Sequence, residues 1–360
     1  MKKKLSVLFF IASLVFTLTT ILAVEGIGGI SALQRLAVES SRRATLGDLE
    51  IKAYEGALED AKQDADFQMI PGTKIDMYNS KIKKEVAPFE AEANLEYAKR
   101  NKEKTLDSLK FDVYKAALGK VLGEKKLDLE SKKLEILNEK YEMSKARLKE
   151  GKITENDLKD VEYSLNIKKA DQDKAKRDLE ILGLELKKLL NMDFDAEDVL
   201  VEDSLELTEW TDIDIEKAIG QASENNIEVF KKTMQLQAQK KTMDIAQAYY
   251  NEGNFSYDDN RAGLEMAEIE LEDEKARLEV SIRNKYNDLL TGKDNLELSA
   301  KWSEIQKNKF EAGKARYDKG LLGRENVLDL KEQYLDAQYQ RFAAIYDFNI
   351  LKAELDILCK

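Results

Sequence analysis

"FEAGKARYDKGLLGRENVLDL", Phe310 to Leu330, interrupts a long charged helical pattern with Lys-Gly and Leu-Leu-Gly, then resumes it at Asn-Val-Leu. One half-chain earlier "YEMSKARLKEGKITENDLKDV", Tyr141 to Val161, does the same. Sliding the chain along itself without a gap superimposes Lys140–Leu189 on Lys309–Leu358, an offset of 169 in numbering. Lys140, Glu142, Lys145, Ala146, Arg147 and Gly151 fall on Lys309, Glu311, Lys314, Ala315, Arg316 and Gly320. Asp160, Asp178, Leu182, Leu186 and Leu189 fall on Asp329, Asp347, Leu351, Leu355 and Leu358. Two generic coiled coils would share apolar positions and miss the turn glycine, so the match reads as an internal duplication. At each break the glycine supplies the left-handed residue that ends a helix. Thr154 and Asp157 form a capping-box pair that starts the next one.

Working outward, the remaining sequence reads as helix almost throughout. Only 2 Pro occur in 360 residues, Pro71 and Pro88, so little of the chain must break a helix. Leu127, Leu134, Tyr141 and Leu148 recur at heptad spacing, as do Leu264, Leu271 and Leu278, then Ile282, Leu289 and Leu296. A heptad repeat keeps one seam against a partner helix, and the shorter step from Leu278 to Ile282 is a stutter. "LQRLAVESS" (Leu33–Ser41) parallels "IEKAIGQAS" (Ile215–Ser223) at an offset of 182. The two offsets differ by 13, which is the surplus length expected in the first half. That surplus is expected at the Pro71 turn, with Tyr249–Asn260 as its shorter counterpart and "YDDN" (Tyr257–Asn260) capping the helix that follows. The first helix is expected to run unbroken from near Ser31 to Gln68. The fold class is therefore all-α: long antiparallel coiled-coil hairpins in two tandem repeats, residues 24–190 and 212–360, joined by an acidic connector at 191–211.

Composition narrows the function. Without His, neither a Ser-His-Asp device nor an imidazole metal site can be built, and no cofactor or metal is expected. No catalytic constellation stands out, so an enzyme is not the expected class. Lys2–Lys4 precede an apolar run to Val24, the pattern of a signal peptide at residues 1–23, or of an uncleaved anchor. Cleavage would move the formal charge from −12 to −15, which disfavours nucleic acid as a partner. The lone Cys359 makes no intramolecular disulfide and is expected to pack as a small hydrophobe.

The two repeats, each with a long helix ending in glycine and an x-Asp/Asn-Val/Leu restart, resemble the TolC family of outer-membrane efflux proteins. Gly151, Ile153, Thr154, Asp157 and Leu158 carry the resemblance, with Gly320, Leu322, Asn326, Val327 and Leu328 and then "DLKEQYLDAQ" (Asp329–Gln338). The openings "ISALQRLAVESS" and "IEKAIGQASENN" add to it. The resemblance implies a homotrimer whose twelve helices form a hollow barrel, in an exported cell-envelope protein associated with a membrane. It implies an adaptor protein docking at the tip turns Gly151, Ile153, Asp157, Leu158, Gly320, Leu322, Asn326 and Val327, and an inner-membrane transporter beyond it. Asp157, Asp160, Lys319 and Arg324 are candidate gate charges across a pore that passes small molecules or peptides; their alternative role is helix capping and solvated turn charge.

The chain departs from the family at the opposite, apical end. Gln68–Lys81 and Tyr249–Asn260 are too short for a pair of membrane-spanning strands, and neither alternates apolar with polar residues. A barrel-less tube is expected, with an exported coiled-coil interaction protein lacking a pore as the alternative.

Overall fold

In a computed structural model the structure describes residues 29–66, 72–202, 205–210 and 212–359. The segment read as signal or anchor, and Pro71, lie outside them. The first repeat comprises α1 (Gly29–Glu39), α2 (Arg42–Asp66), α3 (Lys74–Glu85), α4 (Ala87–Lys149) and α5 (Glu155–Leu189). The second comprises α6 (Ile215–Asn225), α7 (Ile227–Tyr249), α8 (Phe255–Asp318) and α9 (Arg324–Leu358). Among the described residues there is no strand.

The two long helices, of 63 and 64 residues, set the length of a rod on the order of 95 Å. Pro88 sits in the first turn of α4, where its missing N–H costs no helical hydrogen bond. Leu127, Leu134, Tyr141 and Leu148 of α4 are half-buried, on the same side as Gly123, against which Leu179 and Leu182 of α5 lie. A second seam on α4, Leu129 and Ile136, packs on Leu328 and Leu335 of α9. The heptad reading supplied one seam; the helix needs two because it lies between two neighbours.

The helices form a single layer. In its lower half the order is α5, α4, α9, α8; in its upper half it is α2, α4, α7, α8. The stutter in α8 falls where its partner changes. Glu270 pairs with Lys232 of α7 above it, and Lys285 with Glu354 of α9 below it. Near mid-height, α1 and the connector lie across one face of the layer, where Leu33, Ala37, Val113, Ala117, Leu186 and Val199 close the largest apolar cluster.

Three expectations are corrected. The first helix is not continuous to Gln68: it breaks at Ser40 and Ser41. Ser41 Oγ accepts from the N–H groups of Arg43 and Ala44, and so caps α2. Asn226 does the same for α7, accepting from Glu228 and Val229. Ser41 and Asn226 stand at an offset of 185, as do the buried pairs Leu33 and Ala218, Ala37 and Ala222. The offset of the repeat starts is thus 185 rather than 182, and the surplus of the first half becomes 16 rather than 13. A slip of three positions keeps nearly the same helix face inward, so periodicity could not detect it. Third, "YDDN" lies inside α8; Asn254 is the cap, accepting from Ser256 N–H.

The extra length is α3 and the residues just before it. Shifting Phe255, where α8 begins, back by 169 gives Val86, so α3 has no counterpart in the second repeat. Thr73 and Asp76 close a capping box at its start. Tyr78 packs edge-on against Tyr249 and Tyr250, and its hydroxyl accepts from Asn260 Nδ2 at 3.0 Å. The inserted helix therefore laps over the apical turn of the other repeat. Cys359 is half-buried against the α6–α8–α9 cluster, and burial raises its thiol pKa.

Candidate functional site

The two glycine tips have the same backbone. Gly151 has φ 70° and Gly320 φ 69°. Lys152 N–H reaches back to Arg147 carbonyl at 2.8 Å, and Leu321 N–H to Arg316 carbonyl at 2.8 Å. Each is a Schellman ending, which requires the left-handed residue at the glycine. Replacing either glycine with alanine leaves the space around it open, so the cost is conformational. We expect about 1 kcal/mol lost per substitution, measured as a shift of the urea midpoint.

Beyond the glycines the tips differ. Thr154 Oγ1 accepts from Asp157 N–H at 3.2 Å, and Asp157 accepts from Thr154 N–H at 2.8 Å. The Thr154 N–H and hydroxyl both donate to the Asp157 carboxylate and hold it below its ordinary pKa. Because the folded value is the lowered one, this contribution is present above the ordinary carboxylate range. It is lost as pH falls through the folded value. Amide exchange at Glu155–Leu158 should therefore accelerate at the acid end of that range, with no matching change at Arg324–Val327. The second tip restarts at Gly323, which has no side chain to cap with.

Of the residues singled out, Val327 is buried, Ile153, Leu158 and Leu322 are half-buried, and Asn326 is exposed. Gly313 lets α9 approach α8 closely, since a Cβ there would overlap Leu330. The four charges do not meet one another within the protomer. Asp157 serves its cap, while Asp160 and Lys319 are exposed and form no ion pair among the described residues. Arg324 is engaged elsewhere: Nε and Nη2 donate to the two carboxylate oxygens of Glu139 at 2.5 and 3.0 Å. That fork lowers the Glu139 pKa and raises that of Arg324.

Arg324 belongs to a seam that the sequence reading missed. Between α4 and α9, Lys133 pairs with Asp336, Lys140 with Asp329 at 2.6 Å and Arg147 with Glu325 at 2.7 Å. The signal was available, because Lys133, Lys140 and Arg147 repeat at heptad spacing, as do Asp329 and Asp336 in the opposite direction. Among the described residues no group of three or more His, Cys, Asp or Glu is placed to hold a metal ion.

No protein-family model matches the sequence, and no curated protein matches it by sequence. Solved structures do match. The outer membrane protein VceC from Vibrio cholerae superposes with a TM-score of 0.69 at 12% identity, over 91% of this chain and 95% of that one. The Campylobacter jejuni CmeC outer membrane channel gives 0.67 at 10% identity, over 92% and 85%. The Neisseria gonorrhoeae MtrE outer membrane channel, in its open state, gives 0.65 at 14%, over 92% and 88%. The chain therefore has the TolC-like fold, and has it without strands among its described residues.

Proposed function

We propose that three copies of this chain close edge to edge into a helical tube, an exported cell-envelope channel component that passes small molecules or peptides. An adaptor would meet the Gly151 and Gly320 tips, with an inner-membrane transporter beyond it. The observation that carries the reading is the open edge of the layer. Met266, Ile269, Val280, Leu298, Trp302 and Ile305 of α8 are all exposed. At 3.6 residues per turn they fall within an arc of about 60°, in a stripe on the order of 60 Å long. It points away from the buried α8 positions Leu278, Ile282 and Leu289. The opposite edge exposes Tyr163, Ile167, Ile181 and Leu184 on α5, and Leu46 and Leu49 on α2. Two different apolar edges on one layer suit a head-to-tail joint, which forms a ring when the rotation closes. The number three follows from the twelve-helix tube that the TolC resemblance implies.

A second reading, an exported coiled-coil interaction protein without a pore, is favoured by the absence of strands among the described residues of the apical ends. Light scattering on the purified protein, with and without detergent, separates the two when combined with conductance across planar bilayers. A particle of about three times the 41.1 kDa chain that conducts supports the channel. A monomer under both conditions, with no conductance, leaves the coiled-coil reading.

A further inference from the structure

The insertion α3 is net basic in a chain that is acidic overall. In a protein of formal charge −12, this 12-residue helix carries Lys74, Lys81, Lys83 and Lys84 against Asp76 and Glu85. Both of its carboxylates are engaged, Asp76 in the Thr73 capping box and Glu85 with Lys81. Lys74, Lys83 and Lys84 are exposed and form no ion pair among the described residues. Beside them Ile75 and Met77 are also exposed, while Tyr78 and Ile82 pack inward on the apical cluster. Phe255, which opens α8 on the neighbouring apical turn, is 83% exposed. There the acidic residues are partly neutralised, with Glu252 and Asp258 both on Arg261. No described helix is long and apolar enough to cross a membrane.

We propose that α3 docks the apical end of the rod onto an anionic lipid surface without crossing it. A short helix with one face fixed to the protein and the other offering lysines and a few apolar side chains suits the headgroup region. The cations are attracted to acidic lipid while Met77, on the Lys84 side of the helix, and Phe255 reach the acyl boundary. Asp64 and Asp66, exposed at the end of α2, oppose this attraction. The docking stands whether or not the tube conducts, since it needs only the insertion and its charge.

The test is flotation of the full chain with vesicles of phosphatidylcholine alone, or with one third phosphatidylglycerol. Binding is expected only to the anionic vesicles, and weakens with salt. Changing Lys74, Lys83 and Lys84 to Gln lowers the partition coefficient by about two orders of magnitude. The same change at Lys301, Lys307 and Lys314 of α8 leaves it unaltered, and Asp64→Asn with Asp66→Asn raises it. Met77→Ser lowers it at high salt, where the charges are screened. Equal binding to both vesicle types, no binding to either, or equal losses in the two lysine triples would each overturn the proposal. So would capture by a soluble polyanion with no vesicle binding. Circular dichroism of each variant reports whether α3 remains folded.

Discussion

Placing glutamate at both Trp302 and Ile305 is expected to convert the assembled protein to monomers while leaving the protomer folded. Both side chains are close to half exposed in the single chain, at 45% and 47%, so the substitution removes part of their packing and the Lys309–Trp302 cation–π contact but empties no fully buried site. Glutamate is a good helix former, and α8 tolerates it on an exposed face. In a closed ring the same two positions would be covered by the next copy. Two carboxylates buried there without partners cost several kcal/mol, enough to raise the dissociation constant by about a thousandfold. The register of the joint can be tested as well. Ile305 stands roughly four helical turns before Gly320, and Ile167 roughly four turns of chain after Gly151. Leu290 and Ile181 stand roughly eight turns from the same two glycines. With α8 descending to its tip and α5 rising from its own, these pairs sit at matching heights. Ile167→Lys should therefore recover part of the association lost to Ile305→Glu. Light scattering reads the mass and thermal unfolding reads the fold. A double variant that stays assembled would move the joint off this stripe and remove the main support for the ring.

Periodicity carried most of the fold and little of the chemistry. The offset of 169 maps Glu155–Leu189 onto Arg324–Leu358, the observed bounds of α5 and α9, because a turn glycine and its caps are local signals. The upper halves were harder. The serine-on-serine alignment that led to 182 was one near-turn of helix away from the true offset. The cap that fixes the register, Ser41 against Asn226, changes residue type between repeats. At the tips, Arg324 was recognised as a charge, but its partner within the protomer was not, because Glu139 lies far back in the chain on α4. Heptads say that a helix has a partner without saying which one, and α4 has several along its length. The α3 insertion was legible as surplus length near Pro71. Its lapping over the second repeat depends on Tyr78, Tyr249 and Tyr250 meeting across the layer, which no local pattern encodes.

The connector should prove to be fastened by polar groups rather than by its own apolar content, and Lys120 is where that shows most. Its side chain is 2% exposed, with Nζ donating to Val199 carbonyl at 2.6 Å and pairing with Asp198 at 2.9 Å. Lys187 donates to the carbonyls of Phe194 and Ala196, at 3.0 and 2.6 Å. On the other repeat, Asn349 accepts from Thr208 N–H and donates to Glu206 carbonyl. Three buried side chains on α4, α5 and α9 thus take up backbone groups that an extended chain cannot satisfy by itself. Lys120→Met keeps the aliphatic stem in place and deletes the donor. Asp198, largely exposed, regains water, but the Val199 carbonyl is left without its partner. The expected cost is about 2 kcal/mol in the urea midpoint. Amide protection should fall across residues 194–202 while the Arg147–Glu325 seam near the tips keeps its own. Lys187→Met should act in the same direction. The double variant should lose less than the two added together, since both lysines hold the same segment and the second removal meets a connector already loosened. If Lys120→Met is neutral, the connector is held by Val199 and Leu205 in the apolar cluster. Val199→Ala would then be the variant that releases it.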